Sequence, residues 1–550
     1  MCGIFFYNGE LTFIDKILEC ANTNKNRGPE NTKLLIDNNS IHCFHRLAIN
    51  NISESCNQPF IYIEGEYTYT VMCNGEIYNW KHIVSSFELE LDYKNDCGII
   101  YHLFKKLDYN FKELCCLLDG EFAIIITRKN NKNIDNIWFG TDVCSVRPLF
   151  YTFDGKQIVI SSLLSGISNI PELNSEIHRV NGSYIYNFKL FEKFVLTTDK
   201  YDNLYDYNDD SLIRLNNNNT LYGDYLKTIV DKFENAVYKR ICDENLSRPI
   251  GCLLSGGLDS SLVAAIASRY LKKKGKILNT FSIGMKGATD LIYAKKVADY
   301  IGSKHTEVIF TEKEGIEAIK EVIKVTETYD ITTIRASICQ FLLSKWISKN
   351  TDIKVLLNGD GADECQMGYL YFYNAPNDIE AQKDSYKLVS QIHYFDGLRV
   401  DRNISYHGLE ARVPYLDKEL VKFYLNIIPP KFKVPTFNCE KFLIRKAFEK
   451  YNILPNEVLW RRKEAFSDGV SSVNRSWFEI LTEHFNSIDI PMSLEREINP
   501  PYTKESCYYR LKFEKYFGIK NANIIPSFWL PSWSKEKDPS ARKLTSIYNK

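Results

Sequence analysis

Seven consecutive residues, Ser255-Gly256-Gly257-Leu258-Asp259-Ser260-Ser261, carry the strongest chemical signal in the chain. They follow an apolar run and open a helical pattern. Glycines let a backbone approach an anion closely, and successive N–H groups at a helix start form a nest for it. Ser255 and Ser260 add hydroxyl donors. Asp259 would repel a phosphate, so it reads as a Mg²⁺ ligand. The Gly-Lys-Ser/Thr ending of a P-loop is absent. A second signal is Cys2. If Met1 is removed, Cys2 carries a thiol and a free α-amine of pKa about 7.7–8.0, so one residue supplies nucleophile and base. Three segments strengthen it. Arg46, in His45-Arg46-Leu47-Ala48-Ile49, offers a fork for a carboxylate. Asn74-Gly75 offers an amide and a backbone N–H as an oxyanion hole. Arg27-Gly28-Pro29 marks a tight loop. A third cluster, Asn358-Gly359-Asp360-Gly361-Ala362-Asp363-Glu364, brings three carboxylates for metal and acid–base work. Lys463 is a candidate cation for a phosphate.

The elements that must position these groups fall into two patterns. Residues 1–190 hold many short β-like runs: Asn31–Asp37, Ile41–Ile49, Thr68–Cys73, Glu121–Arg128, Asn136–Gly140, Pro148–Phe153 and Gln157–Ser162. Helical patterns lie at Phe13–Asn22 and Cys97–Leu107. Together these predict an α+β sandwich. Residues 191–222, with Asn216–Asn219, are polar and turn-prone and read as a linker. From 223 to 534 strands and helices alternate: Arg248–Leu254, Ser260–Lys274, Leu278–Met285, Asp290–Ile301, Thr306–Phe310, a helix around Glu314–Thr326, and Ile353–Leu357. That order predicts βαβ units and a parallel sheet, with a mostly helical region from about 370 to 520. The Ser255 loop and the Asn358 cluster then sit at strand C-termini, where open α/β sheets bind ligands. The charged tail 535–550 reads as mobile.

Composition narrows the function classes. Lys+Arg and Asp+Glu are both 69 in 550 residues, so the chain lacks the cationic excess of a nucleic-acid coat. No stretch of about 18 apolar residues suggests a membrane span. The 15 cysteines are odd in number, scattered and never spaced Cys-x-x-Cys, which predicts free thiols in a reducing, cytoplasmic compartment.

Taken in order, these motifs resemble the glutamine-dependent asparagine synthetases, over essentially the whole chain. The likeness extends to Thr332-Thr333-Ile334-Arg335, Tyr369-Leu370-Tyr371-Phe372, Gly408-Leu409-Glu410-Ala411-Arg412-Val413-Pro414, Lys463-Glu464-Ala465-Phe466-Ser467-Asp468-Gly469 and Asp538-Pro539-Ser540. The resemblance implies an αββα N-terminal-nucleophile sandwich followed by an ATP-pyrophosphatase-type domain. It implies that Cys2 attacks the glutamine amide, with Asn74 and Gly75 stabilising the oxyanion. Arg46, Leu47, Ala48, Ile49, Asn50, Glu76 and Asp96 would complete the glutamine site. Ammonia would pass through the interior to a second site, where ATP and aspartate form β-aspartyl-AMP. There Leu253, Ser255, Gly256, Gly257, Asp259, Ser260, Ile283, Asn358 and Gly359 would hold ATP. Asp259 and Asp363 would hold Mg²⁺, Lys463 would offset developing phosphate charge, and Thr332, Thr333 and Arg335 would handle aspartate and phosphate. Relatives suggest a homodimer.

This chain departs from the family's usual pattern at four places. Asp360 stands where Glu is common, and Glu30 where Asp follows Arg-Gly-Pro. Arg147 replaces an often uncharged residue, and Cys365-Gln366-Met367 an apolar–aromatic–Gly run. None removes a named catalytic group. Another amide ligase on the same scaffold, or a nucleotide-binding regulatory homologue, are the alternatives; intact Cys2, Arg46, Asn74, Thr332, Thr333 and Arg335 weigh against the first, and intact Ser255–Ser261 and Lys463 against the second. A tRNA-modifying ATP-pyrophosphatase would want a basic face.

Overall fold

The computed structural model of the protein describes residues 1–131, 133–190, 194–242, 246–435, 439–463, 469–471 and 475–534. Most of the 463–469 motif, the Asp538-Pro539-Ser540 segment and the 535–550 tail therefore lie outside the described residues.

The first half builds two stacked antiparallel sheets. Its strands are β1 (Gly3–Asn8), β2 (Asn31–Asp37), β3 (Ser40–Arg46), β4 (Phe60–Glu64), β5 (Tyr67–Ile77), β6 (Gly120–Lys129), β7 (Ile134–Thr141), β8 (Phe150–Phe153), β9 (Ile158–Ser161), β10 (His178–Arg179), β11 (Tyr184–Leu190) and β12 (Phe194–Lys200). One sheet runs β10-β8-β9-β1-β3-β2, the other β12-β11-β7-β6-β5-β4. β1 is buried along its whole length because both its faces are covered. Ile4 and Phe6 enter the core between the sheets, with Phe44, Met72, Ile125 and Phe139. Phe5 and Tyr7 face the other way into the core that includes helix Ile14–Asn22. Helix Ile99–Lys106 covers the outer face of the second sheet, Tyr101 against Tyr69 and Phe104 against Trp138, so the layers are helix, sheet, sheet, helix.

Residues 191–222 carry more structure than a bare linker. β12 pairs with β11 as the edge of the second sheet, its Thr197 and Thr198 favouring the extended form. Asn208 then caps a helix over Asp209–Asn216 by accepting from Ser211 N–H at 2.8 Å. Tyr207 stacks on Tyr386 of the second half, ring centres 4.4 Å apart.

The second half is built on a parallel sheet of β13 (Ile250–Leu253), β14 (Asn279–Gly284), β15 (Lys304–Ile309), β16 (Val355–Leu357) and β17 (Glu410–Arg412), ordered β15-β14-β13-β16-β17. The chain leaves β13 for β14 on one side and reaches β16 on the other. The C-terminal ends of β13 and β16 therefore diverge around a crevice, the topological switch point of an open sheet. Helix Ile331–Asn350 backs this sheet and is buried on almost every side. No helix among the described residues is long and apolar enough to cross a membrane.

Candidate functional site

The first site forms where β1 begins beside the ends of β3 and β5. Cys2 donates its backbone N–H to Asn74 Oδ1 at 2.8 Å. Its Sγ faces Leu47, 3.4 Å from the N–H and 3.6 Å from the carbonyl. Burial pushes the Cys2 thiol up, partly offset by the N-terminal ammonium and the Leu47 N–H. Asn74 is fully buried, and its Nδ2 has no hydrogen-bond partner. A buried donor left unpaired costs about 1–3 kcal/mol, so a ligand oxygen that took it up would be favoured. Gly75 is required by crowding: a Cβ there would lie 2.1 Å from Glu121 O.

The remaining glutamine-site candidates surround this corner. Leu47, Ala48 and Ile49 are buried, and Asn50 Nδ2 is a second unpaired buried donor. Asp96 accepts from Ile77 N–H at 2.9 Å, and burial raises its carboxyl to about 6. Glu76 lies 3.2 Å from Arg412; burial raises its carboxyl well above the usual range, Arg412 opposing. Arg46 is turned to its own loop. It donates to Ser53 O (2.7 Å), Asn57 Oδ1 (2.8 Å) and Asn51 O. A substrate carboxylate at Arg46 would have to displace one of these acceptors.

Met1 fills a buried slot behind Cys2, toward the second half. Its ammonium donates to Leu409 O at 3.2 Å and lies 3.9 Å from Glu410. Burial lowers that amine to about 6, with Glu410 opposing. Arg27, read from sequence as a loop marker, does more. Its Nε donates to Cys2 O at 2.8 Å, and its two Nη atoms grip Asp401 at 2.7 and 2.9 Å.

The second site is a cavity of about 260 Å³ at the switch point. Leu253, Ser255, Gly257, Asp259, Ser260, Ile283, Asn358, Gly359, Asp360, Asp363, Thr332, Arg335 and Lys463 all line it. Ser255 and Ser260 hydroxyls lie 3.0 Å apart and brace the loop. Gly359 packs so closely on this turn that a Cβ would lie 2.7 Å from Ser260 N. Two expected residues stand outside the lining. Gly256, at φ +74°, turns its α-carbon into the backbone of Tyr293–Ala294. Thr333 lies in the first turn of helix Ile331–Asn350, where its N–H and hydroxyl both donate at 2.8 Å to the capping Asp330 Oδ2. Arg335 reaches the cavity, but its guanidinium is paired side-on with Glu505 at 2.9 and 2.6 Å.

Several lining groups were not read from sequence. Lys441 is buried, and its Nζ bridges Asp259 Oδ2 (2.6 Å) and Asp363 Oδ1 (2.8 Å). Lys463 also pairs with Asp363. Burial would raise the Asp363 carboxyl, but Lys441 and then Lys463 outweigh it and hold it well below its ordinary value. Asp259 Oδ1 is buried without a partner. Arg399 pairs with Asp360 and, at 2.8 Å, with Asp396. Burial still raises the Asp360 carboxyl to about 6. Arg399 and Asp396 are three apart on helix Asp396–Ser405, a spacing that could have flagged them. Lys441 is 182 residues from Asp259, and no local pattern announces it.

The fold and these two corners define a class: an antiparallel helix–sheet–sheet–helix sandwich with a cysteine at the head of its first strand, joined to an open parallel sheet with a glycine–serine loop at its switch point. Sequence comparison gives the family. The model for the glutamine amidotransferase domain matches residues 1–204, and that for asparagine synthase matches 228–388 and 376–517. The glutamine-hydrolysing asparagine synthetase of Homo sapiens is 40% identical over 570 residues, covering 99% of this chain and 99% of its own. That of Gallus gallus is 39% identical over 569 residues, covering 99% and 98%. The chain belongs to the glutamine-hydrolysing asparagine synthetase family.

Proposed function

We propose that this protein makes L-asparagine from L-aspartate and ATP with ammonia released from L-glutamine, and that the two corners are its two reaction sites. The observation that carries the reading is the pairing, in one chain, of Cys2 against the unpaired Asn74 amide with a Ser255–Ser261 loop facing a carboxylate–lysine cluster.

The first reaction needs Met1 removed, which turns the Cys2 amide into an amine. Asn74 Oδ1 would then accept one amine hydrogen and leave the lone pair for the thiol proton. The sulfur attacks the glutamine side-chain carbonyl; Asn74 Nδ2 and Gly75 N–H take the oxyanion. Collapse breaks the C–N bond, the proton passes from the amine to the leaving nitrogen, and ammonia departs. Water hydrolyses the thioester to glutamate. Removing Met1 also empties the slot beside Arg147, Leu409 and Glu410, and we place the ammonia path there. Passage through the interior keeps the amine neutral, as a nucleophile must be.

In the second reaction a carboxylate oxygen of aspartate attacks the α-phosphate, and pyrophosphate leaves toward Ser255, Gly257 and Ser260, with Gly256 shaping the turn behind them. Lys463 offsets charge on the transferring phosphate. Ammonia displaces AMP from the acyl adenylate, and the Asp360 carboxylate, ionised above about pH 6, accepts the proton. Asp259 and Asp363 suit Mg²⁺: both are hard oxygen donors, and one Asp259 oxygen is buried and unpaired. Two carboxylates plus substrate phosphates are the usual Mg²⁺ environment, which would neutralise the pyrophosphate. Thr332 and Arg335 are assigned to aspartate and phosphate handling, Thr333 to holding their helix.

We further propose a homodimer. The edge strands β2 and β4 expose Leu34, Ile36, Ile61 and Ile63, apolar area that a second copy could cover. All 15 cysteines are free, which fits a reducing compartment such as the cytoplasm.

The decisive experiment supplies ATP, Mg²⁺, aspartate and amide-labelled glutamine. Labelled asparagine with equal AMP and pyrophosphate is expected. Glutamate without asparagine would refute the acceptor assignment.

A further inference from the structure

The glutamine loop is gripped from outside its own domain. Ala48 N–H donates to Glu30 Oε2 at 2.7 Å. Its carbonyl accepts from Arg248 Nε at 2.8 Å. Arg248 Nη2 closes the ring on Glu30 Oε1, again at 2.8 Å. Both polar groups of one residue are therefore tied to one ion pair, and 218 residues separate its partners. The contact continues beside it. Ser247 N–H donates to Ile49 O at 3.2 Å, and Asn51 N–H reaches Ser247 Oγ at 3.4 Å.

Position makes the ring consequential. Leu47, the neighbour of Ala48, is the residue whose backbone faces the Cys2 sulfur on both sides. Arg248 lies two residues before β13, the central strand that ends in the pyrophosphate loop. One Glu30 carboxylate meets a backbone N–H and a guanidinium on different segments.

We infer that Arg248, with Glu30, is a positioning residue for the glutaminase reaction: a group of the synthetase domain fixes the loop that faces the Cys2 nucleophile. The inference rests on the two-site reading above. Arg248 touches neither Cys2 nor the ATP cavity, so it acts only through Ala48. Directional hydrogen bonds to a charged group are what hold a loop to the sub-ångström placement that catalysis needs.

The test uses the full-length protein and four forms: wild type, Arg248→Met, Glu30→Gln and the double variant. Glutamate release and ammonia-dependent asparagine synthesis are measured for each. The pair is 28% exposed on either side. A loss near the low end for charged hydrogen bonds, roughly tenfold in kcat/KM for glutamine, is therefore expected for Arg248→Met. Ammonia-dependent kcat should stay within about twofold, a difference too small to count as a loss of interaction. Because the two side chains act as one ring, the double variant should fall no further than the worse single one. Additive losses, an unchanged glutamine kcat/KM in Arg248→Met, or an equal fall in ammonia-dependent synthesis would each overturn the assignment. Wild type that releases no glutamate would instead refute the two-site reading, so the two failures are told apart.

Discussion

Asn74 makes two separable contributions, and substitution can split them. Its Oδ1 holds the Cys2 nitrogen at 2.8 Å, while its Nδ2 is buried and unpaired. Asn74→Asp keeps an acceptor of the same shape and deletes the donor. Asn74→Ala deletes both. Removing one oxyanion donor costs about 10²–10³ in kcat, or roughly 2.7–4 kcal/mol. The site is fully buried, so water is poorly placed to substitute, and the upper half of that range applies. A carboxylate at position 74 would also repel the oxyanion, so Asp should be no better than Ala. The loss should appear in kcat, because the oxyanion exists only after attack. The assay is glutamate release at saturating glutamine, beside ammonia-dependent asparagine synthesis on the same preparation. The second rate should be unchanged. Asn74→Asp with glutaminase within about threefold of wild type would refute the donor role, since one lost donor is worth far more.

Other consequences are as direct. Cys2→Ala should abolish glutamine-dependent synthesis and spare ammonia-dependent synthesis, as product analysis with each nitrogen source would read; equal loss of both would make Cys2 structural. Gly75→Ala must move the Glu121 carbonyl, 2.1 Å from the new carbon, so glutaminase activity should vanish while the synthetase reaction persists. Lys441→Met strands Asp259 and leaves Asp363 to Lys463 alone; breaking a buried pair costs about 3–5 kcal/mol, and denaturant titration should read about half that, because Asp259 and Asp363 remain 21% and 18% exposed. The same pairing has a pH sign. Asp363 is held below its unfolded value, so its contribution is present above the unfolded pKa of about 3.9 and is lost as pH falls below it. The Asp360 carboxyl is raised to about 6, which should give ammonia-dependent synthesis an acid limb near that pH, absent from the pH profile of Asp360→Asn.

What was legible in the sequence was what is local. The Ser255–Ser261 loop, the Asn74-Gly75 pair and the Asn358–Glu364 turn are each contiguous, so neighbouring residues in the sequence name them, and Asn74-Gly75 gains its meaning from Cys2 and Arg46 beside it. Strands such as Asn31–Asp37 and Glu121–Arg128 were visible through length and β-branched content. Helix Ile331–Asn350 has no amphipathic signature in the sequence, because burial on nearly all sides erases the 3.6-residue alternation that marks a surface helix. β12 was read as linker because its neighbours are polar, whereas pairing with β11 decides its form. Lys441 and Arg248 were unreadable for another reason. A lone lysine or arginine gains meaning only from partners brought to it by the fold.

That last point bears on how the two halves cooperate. The contacts between them are rich in buried charge. Arg27 forks onto Asp401, Glu327 accepts from Leu164 and Ser165 N–H at 2.8 Å each, and Arg412 lies 3.2 Å from Glu76. Arg240 joins Glu121 at 2.8 Å to Asp417 at 3.0 Å. Desolvating such ions costs several kcal/mol each, and apolar packing of the same volume would hold the halves together as well. Stability alone therefore does not account for them. Direction does: a forked ion pair fixes one relative placement, whereas an apolar face tolerates sliding. One of these grips reaches Cys2 itself, and the Arg248 contact reaches the loop facing it. Arg27 links the Cys2 carbonyl to Asp401, and Arg248 links Ala48 to the strand before the pyrophosphate loop. The strand that carries the sulfur and the loop that faces it are thus both positioned by the synthetase half. An enzyme that must make ammonia only where a partner site can use it gains from a glutaminase corner that is incomplete without that partner.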